Sequence, residues 1–139
     1  MRTRSVLFGL ILAVGTAVAS PALAEPLVVT AKLVEIPAAF PPDDLYDYAF
    51  VMRYEVIGGP MDKKPIFVAH YKPRQPRAKI KDKMKEHARG KVRSFVKGAV
   101  HKLTLEPNLK SIWTGALIDE FAATDRKTVR YWALEADPG

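Results

Sequence analysis

Residues 46–57 read YDYAFVMRYEVI, and this stretch decides the fold class. Large apolar or aromatic side chains stand at every second position. They are Tyr46, Tyr48, Phe50, Met52, Tyr54 and Val56. A strand sends alternate side chains to opposite faces, so this period of two predicts a β-strand with one buried face. The Gly-Gly-Pro at residues 58–60 then ends the strand.

Strand patterns continue on both sides of this stretch. Residues 27–36 (LVVTAKLVEI) are rich in β-branched side chains, and residues 66–71 (IFVAHY) lie after a short loop, as the second strand of a hairpin would. Further candidate strands lie at residues 99–106, 112–121 and 128–136. The sequence therefore predicts a mainly β protein.

A basic segment interrupts the strands. Residues 72–102 contain twelve Lys or Arg side chains, opposed only by Asp82 and Glu86. Two prolines exclude a helix before about residue 77. Apolar side chains then recur at intervals of four, at Ile80, Met84 and Ala88. This spacing predicts a helix over residues 79–96, with its charged face in water.

The order of these elements predicts the architecture. Three strands come first, then the basic helix, then two or three further strands. A small antiparallel sheet leaves no unpaired edge strand when it closes into a barrel. The order resembles the β-barrel of the oligonucleotide/oligosaccharide-binding (OB) fold, with the helix inserted between strands three and four. The alternative is an open antiparallel sheet packed on one helix.

The first 24 residues predict an export signal. Arg2 and Arg4 precede an apolar run at residues 6–19, and a small-x-small site ends at Ala24. The run is too short to span ~30 Å of hydrocarbon comfortably. We therefore expect a signal peptide cleaved after Ala24 and a single domain, residues 25–139, in the periplasm or outside the cell. We expect no transmembrane segment in that mature chain, whose sequence contains no cysteine for disulfides.

Four phrases of the sequence together resemble an uncharacterised module of exported bacterial proteins. They are FVAHYKPRQPR at 67–77, KGAVHKLTLEP at 97–107, IWTGALIDEF at 112–121 and RYWAL at 130–134. This module is associated with alginate-type O-acetyltransferases of the SGNH-hydrolase class, and the resemblance covers most of residues 28–135. It implies an accessory domain of the cell envelope, without the Ser-Asp-His machinery of those hydrolases.

The sequence carries no catalytic motif that predicts an enzyme. Beyond the export signal its serines are Ser94 and Ser111, and neither lies in a Gly-x-Ser-x-Gly motif. The three histidines lack the spacing of zinc ligands, so we expect no metal and no cofactor. His70 and His101 each share a strand face with aliphatic side chains. An enzyme that uses this pair is an alternative to a non-enzymatic protein.

The charge distribution narrows the choice of partners. The formal net charge is +7, and the basic segment carries the excess between two mildly acidic flanks. Such a segment attracts anions. Outside the cytoplasm this favours an anionic polysaccharide or lipid head group over nucleic acid, with docking on a polysaccharide-modifying envelope protein as an alternative. A solvated face without a ligand also fits the pattern. The predicted anion-binding residues are Lys79, Lys81, Lys83, Lys85, Arg89, Lys91 and Arg93.

Overall fold

The computed structural model describes residues 25–42 and 44–139. The predicted export signal lies outside the described residues. The strands in chain order are β1 (Leu27–Glu35), β2 (Tyr48–Ile57), β3 (Pro65–Tyr71), β4 (Arg89–Gly90), β5 (Val100–Glu106), β6 (Ala116–Ile118) and β7 (Arg130–Pro138). Short 3₁₀ helices span Arg77–Lys79, Leu109–Ser111 and Glu120–Ala123. The prediction of a mainly β protein is confirmed.

Five of the strands close into a ring. β1 pairs with both β2 and β5, β5 pairs with β7, β7 with β3, and β3 with β2. The β3–β7 pairing is parallel and the other four are antiparallel. The short strands β4 and β6 add to β7 and β2, respectively. Ring closure gives each of the five strands a partner on both sides, which protects their edges.

Alternate side chains of the strands fill the interior of the ring. The inward row of β2 is buried, at Tyr48, Phe50, Met52, Tyr54 and Val56. It packs with Leu33 of β1, Val68 of β3 and Leu103 of β5 in one apolar cluster. Each large apolar side chain buried there contributes roughly 1.5–3 kcal/mol. Tyr46, the first member of the row in the sequence, precedes the strand and is half exposed.

A second apolar cluster covers the outer face of β2, β3 and β7. Ala49 and Val51 of β2 lie in it together with Tyr71 of β3 and Trp132 of β7. The covering side chains come from two connections, at Ile80, Met84, Ala88, Leu109 and Trp113. The first half of β2 is therefore buried on both faces, which explains why its outward-facing residues are apolar as well.

The predicted helix over residues 79–96 is wrong. Residues 72–99, which join β3 to β5 and are called the basic insert below, form the 3₁₀ helix Arg77–Lys79, a series of turns and β4. Nowhere in the described ranges is there an α-helix, so the alternative of an open sheet packed on a helix is also wrong. The apolar residues at intervals of four are buried as a helical stripe would be, but turns place them there.

Charge and anchoring explain the missing helix. In a helix Lys79 and Lys81 would each face another lysine four residues later, and such like-charge pairs destabilise helices. The insert instead bonds to the ring. The Tyr71 hydroxyl donates to Asp82 Oδ2 over 2.7 Å, and Trp132 Nε1 donates to the His87 carbonyl over 2.7 Å. These bonds fix the turns against the outer face of the sheet.

The strand predicted over residues 112–121 is much shorter than expected. Only Ala116–Ile118 forms a strand, as β6. Trp113 Nε1 donates to the Ala116 carbonyl over 2.9 Å, which holds the chain in a turn before the strand. The Asp119 carboxylate accepts from the Phe121 amide and ends the strand by starting a 3₁₀ helix. The neighbouring prediction over residues 128–136 is confirmed as β7.

Candidate functional site

The basic insert has an apolar inner side and a cationic outer side. Its inner residues cover the sheet, and Val92 and Phe95 close one end of the ring by joining the interior cluster. The seven predicted anion-binding residues all lie on the outer side and are exposed, at Lys79, Lys81, Lys83, Lys85, Arg89, Lys91 and Arg93. The insert therefore stabilises the fold with one side and presents positive charge with the other.

Two of the seven cations have acidic partners that are distant in sequence. Lys83 Nζ lies 3.4 Å from Asp47 Oδ2, and Arg89 Nη1 lies 3.3 Å from Glu135 Oε1. Asp47 also pairs with Lys72 over 3.0 Å, and Lys72 is the largest cause of the lowered pKa of Asp47. Sequence reasoning missed these partners because they come from the β1–β2 connection and from β7.

The other five cations have no ion-pair partner among the described residues. Within residues 25–42 and 44–139, no carboxylate lies within 4.0 Å of the charged groups of Lys79, Lys81, Lys85, Lys91 and Arg93. The Asp137 carboxylate accepts from the Lys91 backbone amide over 2.9 Å, a contact that leaves the Lys91 ammonium group without an ion pair among the described residues. The outer side of the insert thus keeps most of its positive charge.

A shallow cleft of about 280 Å³ opens within the insert. Three exposed cationic side chains line it, at Lys81, Lys85 and Arg89, and Glu86 is its acidic residue. Arg89 is held in place, because its Nε donates to the Glu86 carbonyl over 3.1 Å while its Nη1 pairs with Glu135. The cleft therefore concentrates positive charge at one place on the surface.

Arg77 also lines this cleft but is buried, with 3% of its surface exposed. Its Nη2 donates to the carbonyls of Lys72 and Gln75 over 2.8 and 3.0 Å, and its Cζ lies 5.1 Å from the centre of the Phe95 ring. Burial lowers its pKa to about 10. In the described part of the chain its Nε has no hydrogen-bond partner and no carboxylate pairs with it.

A buried polar cluster lies inside the ring. The Tyr54 hydroxyl is 2.9 Å from His70 Nε2 and 3.1 Å from His101 Nδ1. The Phe95 ring packs against both imidazoles, with ring centres 4.3 and 5.6 Å away. Burial, with help from the Arg77 charge, holds the pKa of His70 well below its usual value. Burial also raises the pKa of Tyr54 and lowers that of His101.

This cluster bears on the alternative that His70 and His101 form a catalytic pair. The two imidazoles do converge, because both lie within hydrogen-bond distance of the Tyr54 hydroxyl. The sequence did not predict this contact. Their exposed fractions, however, are 0% and 3%, so a substrate in solvent touches neither ring in this structure. No group of three or more His, Cys, Asp or Glu side chains among the described residues is placed to hold a metal ion.

Comparison with known proteins adds no relative. No family model, curated protein or solved structure matches this chain. The described residues also contain no helix of the length and apolarity that crossing a bilayer requires. The resemblance to an exported accessory module therefore stays a prediction, and the functional argument rests on the geometry of the insert.

Proposed function

We propose that the protein is an exported, non-enzymatic binding module of the bacterial cell envelope. It holds an anionic glycan, or a lipid head group with the same charge, on the outer side of the basic insert. The observation that carries this proposal is a set of five exposed cations for which the described residues provide no acidic partner. An unneutralised group of this size attracts polyanions from solution.

The finer fold assignment forms part of the proposal. The ring order β1–β2–β3–β7–β5 with β3 and β7 parallel suits a five-stranded Greek-key barrel of the OB type. Such barrels bind chain-like ligands on the face of their second and third strands. Here the insert and Trp113 cover the outer face of β2 and β3. We therefore place the ligand surface on the outer side of the basic insert, where the exposed cations lie, rather than on the sheet itself.

A charge-matched pair of variants tests the proposal. The first carries Gln at Lys79, Lys81, Lys85, Lys91 and Arg93. The second carries Gln at five lysines outside the insert, at Lys32, Lys63, Lys64, Lys110 and Lys127, which are also exposed. Both lose five charges, so a diffuse effect of net charge weakens both equally.

The proposal predicts a difference between these two variants on a heparin-type column and on vesicles with anionic lipids. The insert variant loses at least about tenfold in affinity, because each cation beside an anionic surface contributes about 1 kcal/mol. The control variant stays within about threefold of the wild type. Wild-type binding weakens steeply with salt. Equal losses, or binding that salt does not change, would contradict the proposal. The comparison of glycan with vesicle identifies the preferred source of the anion.

A second candidate function is docking on an envelope enzyme, and an apolar groove favours it. The groove, of about 460 Å³, lies at the end of the ring away from Phe95, between the start of β1 and residues 57–61. Val28 and Ile57 on its walls are 57% and 47% exposed. β1 pairs with β2 only from Thr30 onward, so the preceding backbone offers a free strand edge. An extended apolar segment of a partner fits such an edge.

Site-specific photo-crosslinking separates the two functions. A photoreactive residue at Val28 is expected to capture one polysaccharide-modifying enzyme in the native envelope. The same residue at Val129, an exposed apolar position elsewhere, serves as the control. Capture of that enzyme from both positions, or from neither, would contradict the proposed docking function.

A further inference from the structure

The cleft in the basic insert has features of a discrete site within the cationic surface. Lys81 and Lys85 line it, and neither has an acidic partner in the portion of the chain that the structure describes. Arg89 lines it with its Nε and Nη1 already engaged by Glu86 and Glu135, so its guanidinium is fixed in orientation before any ligand arrives. Three positive groups therefore surround one small space.

The backbone under the cleft is bonded to neighbouring segments on two sides. β4 pairs with β7, and Gly90 lies so close to Ala136 that a Cβ there would collide with the Ala136 carbonyl. On the other side, the Arg77 amide donates to the Val92 carbonyl over 2.9 Å. A site whose walls are fixed in advance loses little conformational entropy on binding.

Arg77 adds a buried positive charge next to this space. It lines the cleft, its guanidinium pairs with no carboxylate of the described residues, and its Nε lacks a hydrogen-bond partner there. A buried charge is normally paired, because removal from water is costly. An anion in the cleft would offset this unpaired charge from the surface side.

We propose that the cleft binds a single oxyanion group of the polyanion, with Lys81, Lys85 and Arg89 as its ligands. The inference rests on the function proposed above and adds a discrete site to it. The cleft, of about 280 Å³, lies at the lower limit of the range of small-molecule pockets, about 300–1,000 Å³, and therefore has room for one charged unit of a polymer. The rest of the polymer then runs over the other cations of the insert.

The proposal also assigns a role to Glu86. It is the acidic residue of the cleft, and its carboxylate repels the oxyanion group that the three cations attract. Glu86 therefore weakens binding at this site and favours polymers whose charge is dense enough to overcome the repulsion. Neutralisation of Glu86 should strengthen binding more than neutralisation of an acid elsewhere.

Titration calorimetry with a hexasaccharide of uronic acid, and in parallel with a sulfated hexasaccharide, tests the proposal. The cleft variant carries Gln at Lys81 and Lys85. Its matched control carries Gln at Lys91 and Arg93, two exposed cations of the same insert that do not line the cleft. We expect about tenfold weaker binding for the cleft variant and about threefold for the control. The hexasaccharide for which the cleft variant and its control differ more in affinity carries the preferred oxyanion group.

A second comparison uses the gain of affinity. Glu86→Gln should bind about threefold more tightly than the wild type, while Glu55→Gln, on an exposed position of β2, should gain much less. Equal losses in the two double variants and equal gains in these two single variants would overturn the discrete site and leave a diffuse surface. Absence of wild-type binding to both hexasaccharides at low salt would instead overturn the proposed function itself.

Discussion

At the scale of single residues, the unusual feature of this protein is a buried cation among buried histidines. Arg77, His70 and His101 lie near one end of the ring, around Phe95. The Tyr54 hydroxyl lies within hydrogen-bond distance of both histidines. Because no carboxylate pairs with Arg77 in the described ranges, a protonated His70 would add a second uncompensated charge. The cluster therefore holds His70 in its neutral form.

This arrangement predicts acid sensitivity. The unfolded chain takes up a proton on His70 near pH 6.5, while the folded protein resists it because burial holds the pKa of His70 well below that value. The histidine contribution to stability is therefore complete above about pH 6.5 and is lost as the pH falls below it. The loss is about 1.4 kcal/mol per pH unit for one such group.

Urea denaturation at pH 7.5, 6.5 and 5.5 measures this contribution. In His70→Gln the free energy of unfolding should depend less steeply on pH than in the wild type. The control is His87→Gln, which changes a histidine outside the cluster and should keep the wild-type slope. A wild-type slope in His70→Gln would show that the cluster is not the source of acid sensitivity.

At the scale of elements, the basic insert combines a structural and an electrostatic role. Its buried side chains cover the sheet and close one end of the ring, and its cations face the solvent. An α-helix would also have placed the buried apolar side chains of the insert on one side, with its own backbone hydrogen bonds holding them there. The insert instead depends on bonds to the ring, such as Tyr71 to Asp82 and Trp132 to His87. Its stability should therefore be sensitive to its contacts with β7.

Gly90 provides the sharpest test of that dependence. Its φ is +121°, and a Cβ would collide with the Ala136 carbonyl of β7. Gly98, in the same insert, also has a positive φ, of +96°, but has open space around it. Gly98→Ala should lose about 1–3 kcal/mol from backbone strain alone, and Gly90→Ala roughly 1–3 kcal/mol more from overpacking. Thermal unfolding measures both, and equal losses would refute the close packing of β4 on β7.

The sequence allowed the strands to be predicted better than the insert. The candidate strands at residues 27–36, 46–57, 66–71, 99–106 and 128–136 correspond to β1, β2, β3, β5 and β7, and the period of two at residues 46–57 matches the row that β2 buries inside the ring. The spacing at Ile80 and Met84 predicted burial correctly but the wrong backbone, since a buried stripe also forms when turns lie on a sheet. The exposed cations of the basic insert could be predicted from composition. Their partners Asp47 and Glu135 could not, because only the folded ring brings them near.

At the scale of the whole molecule, the fold separates two kinds of surface. One end of the ring is closed by Phe95 and carries the cationic insert, and the other end bears the apolar groove at Val28 and Ile57. A polyanion and a protein partner could therefore bind without competing for the same residues. Both proposed functions place the protein outside the cytoplasm, where acidic polymers of the envelope are accessible.

The signal peptide expected from the sequence leads to a separate prediction. Protein isolated from its own cells should begin at Glu25, because signal peptidase is expected to cleave after Ala24. Intact-mass spectrometry of the envelope and cytosolic fractions measures the N-terminus directly. A cytosolic species that retains Met1 would contradict export and would return nucleic acid to the candidate ligands.

The most direct test of the central claim is an amide chemical-shift titration of the protein with a heparin-type hexasaccharide. We expect the shifted amides to cluster within residues 77–97, with the largest shifts around the cleft at Lys81, Lys85 and Arg89, and we expect these shifts to disappear in the insert variant. Shifts that spread evenly over exposed lysines of the ring, such as Lys32 and Lys64, or that centre on the apolar groove would contradict the central claim.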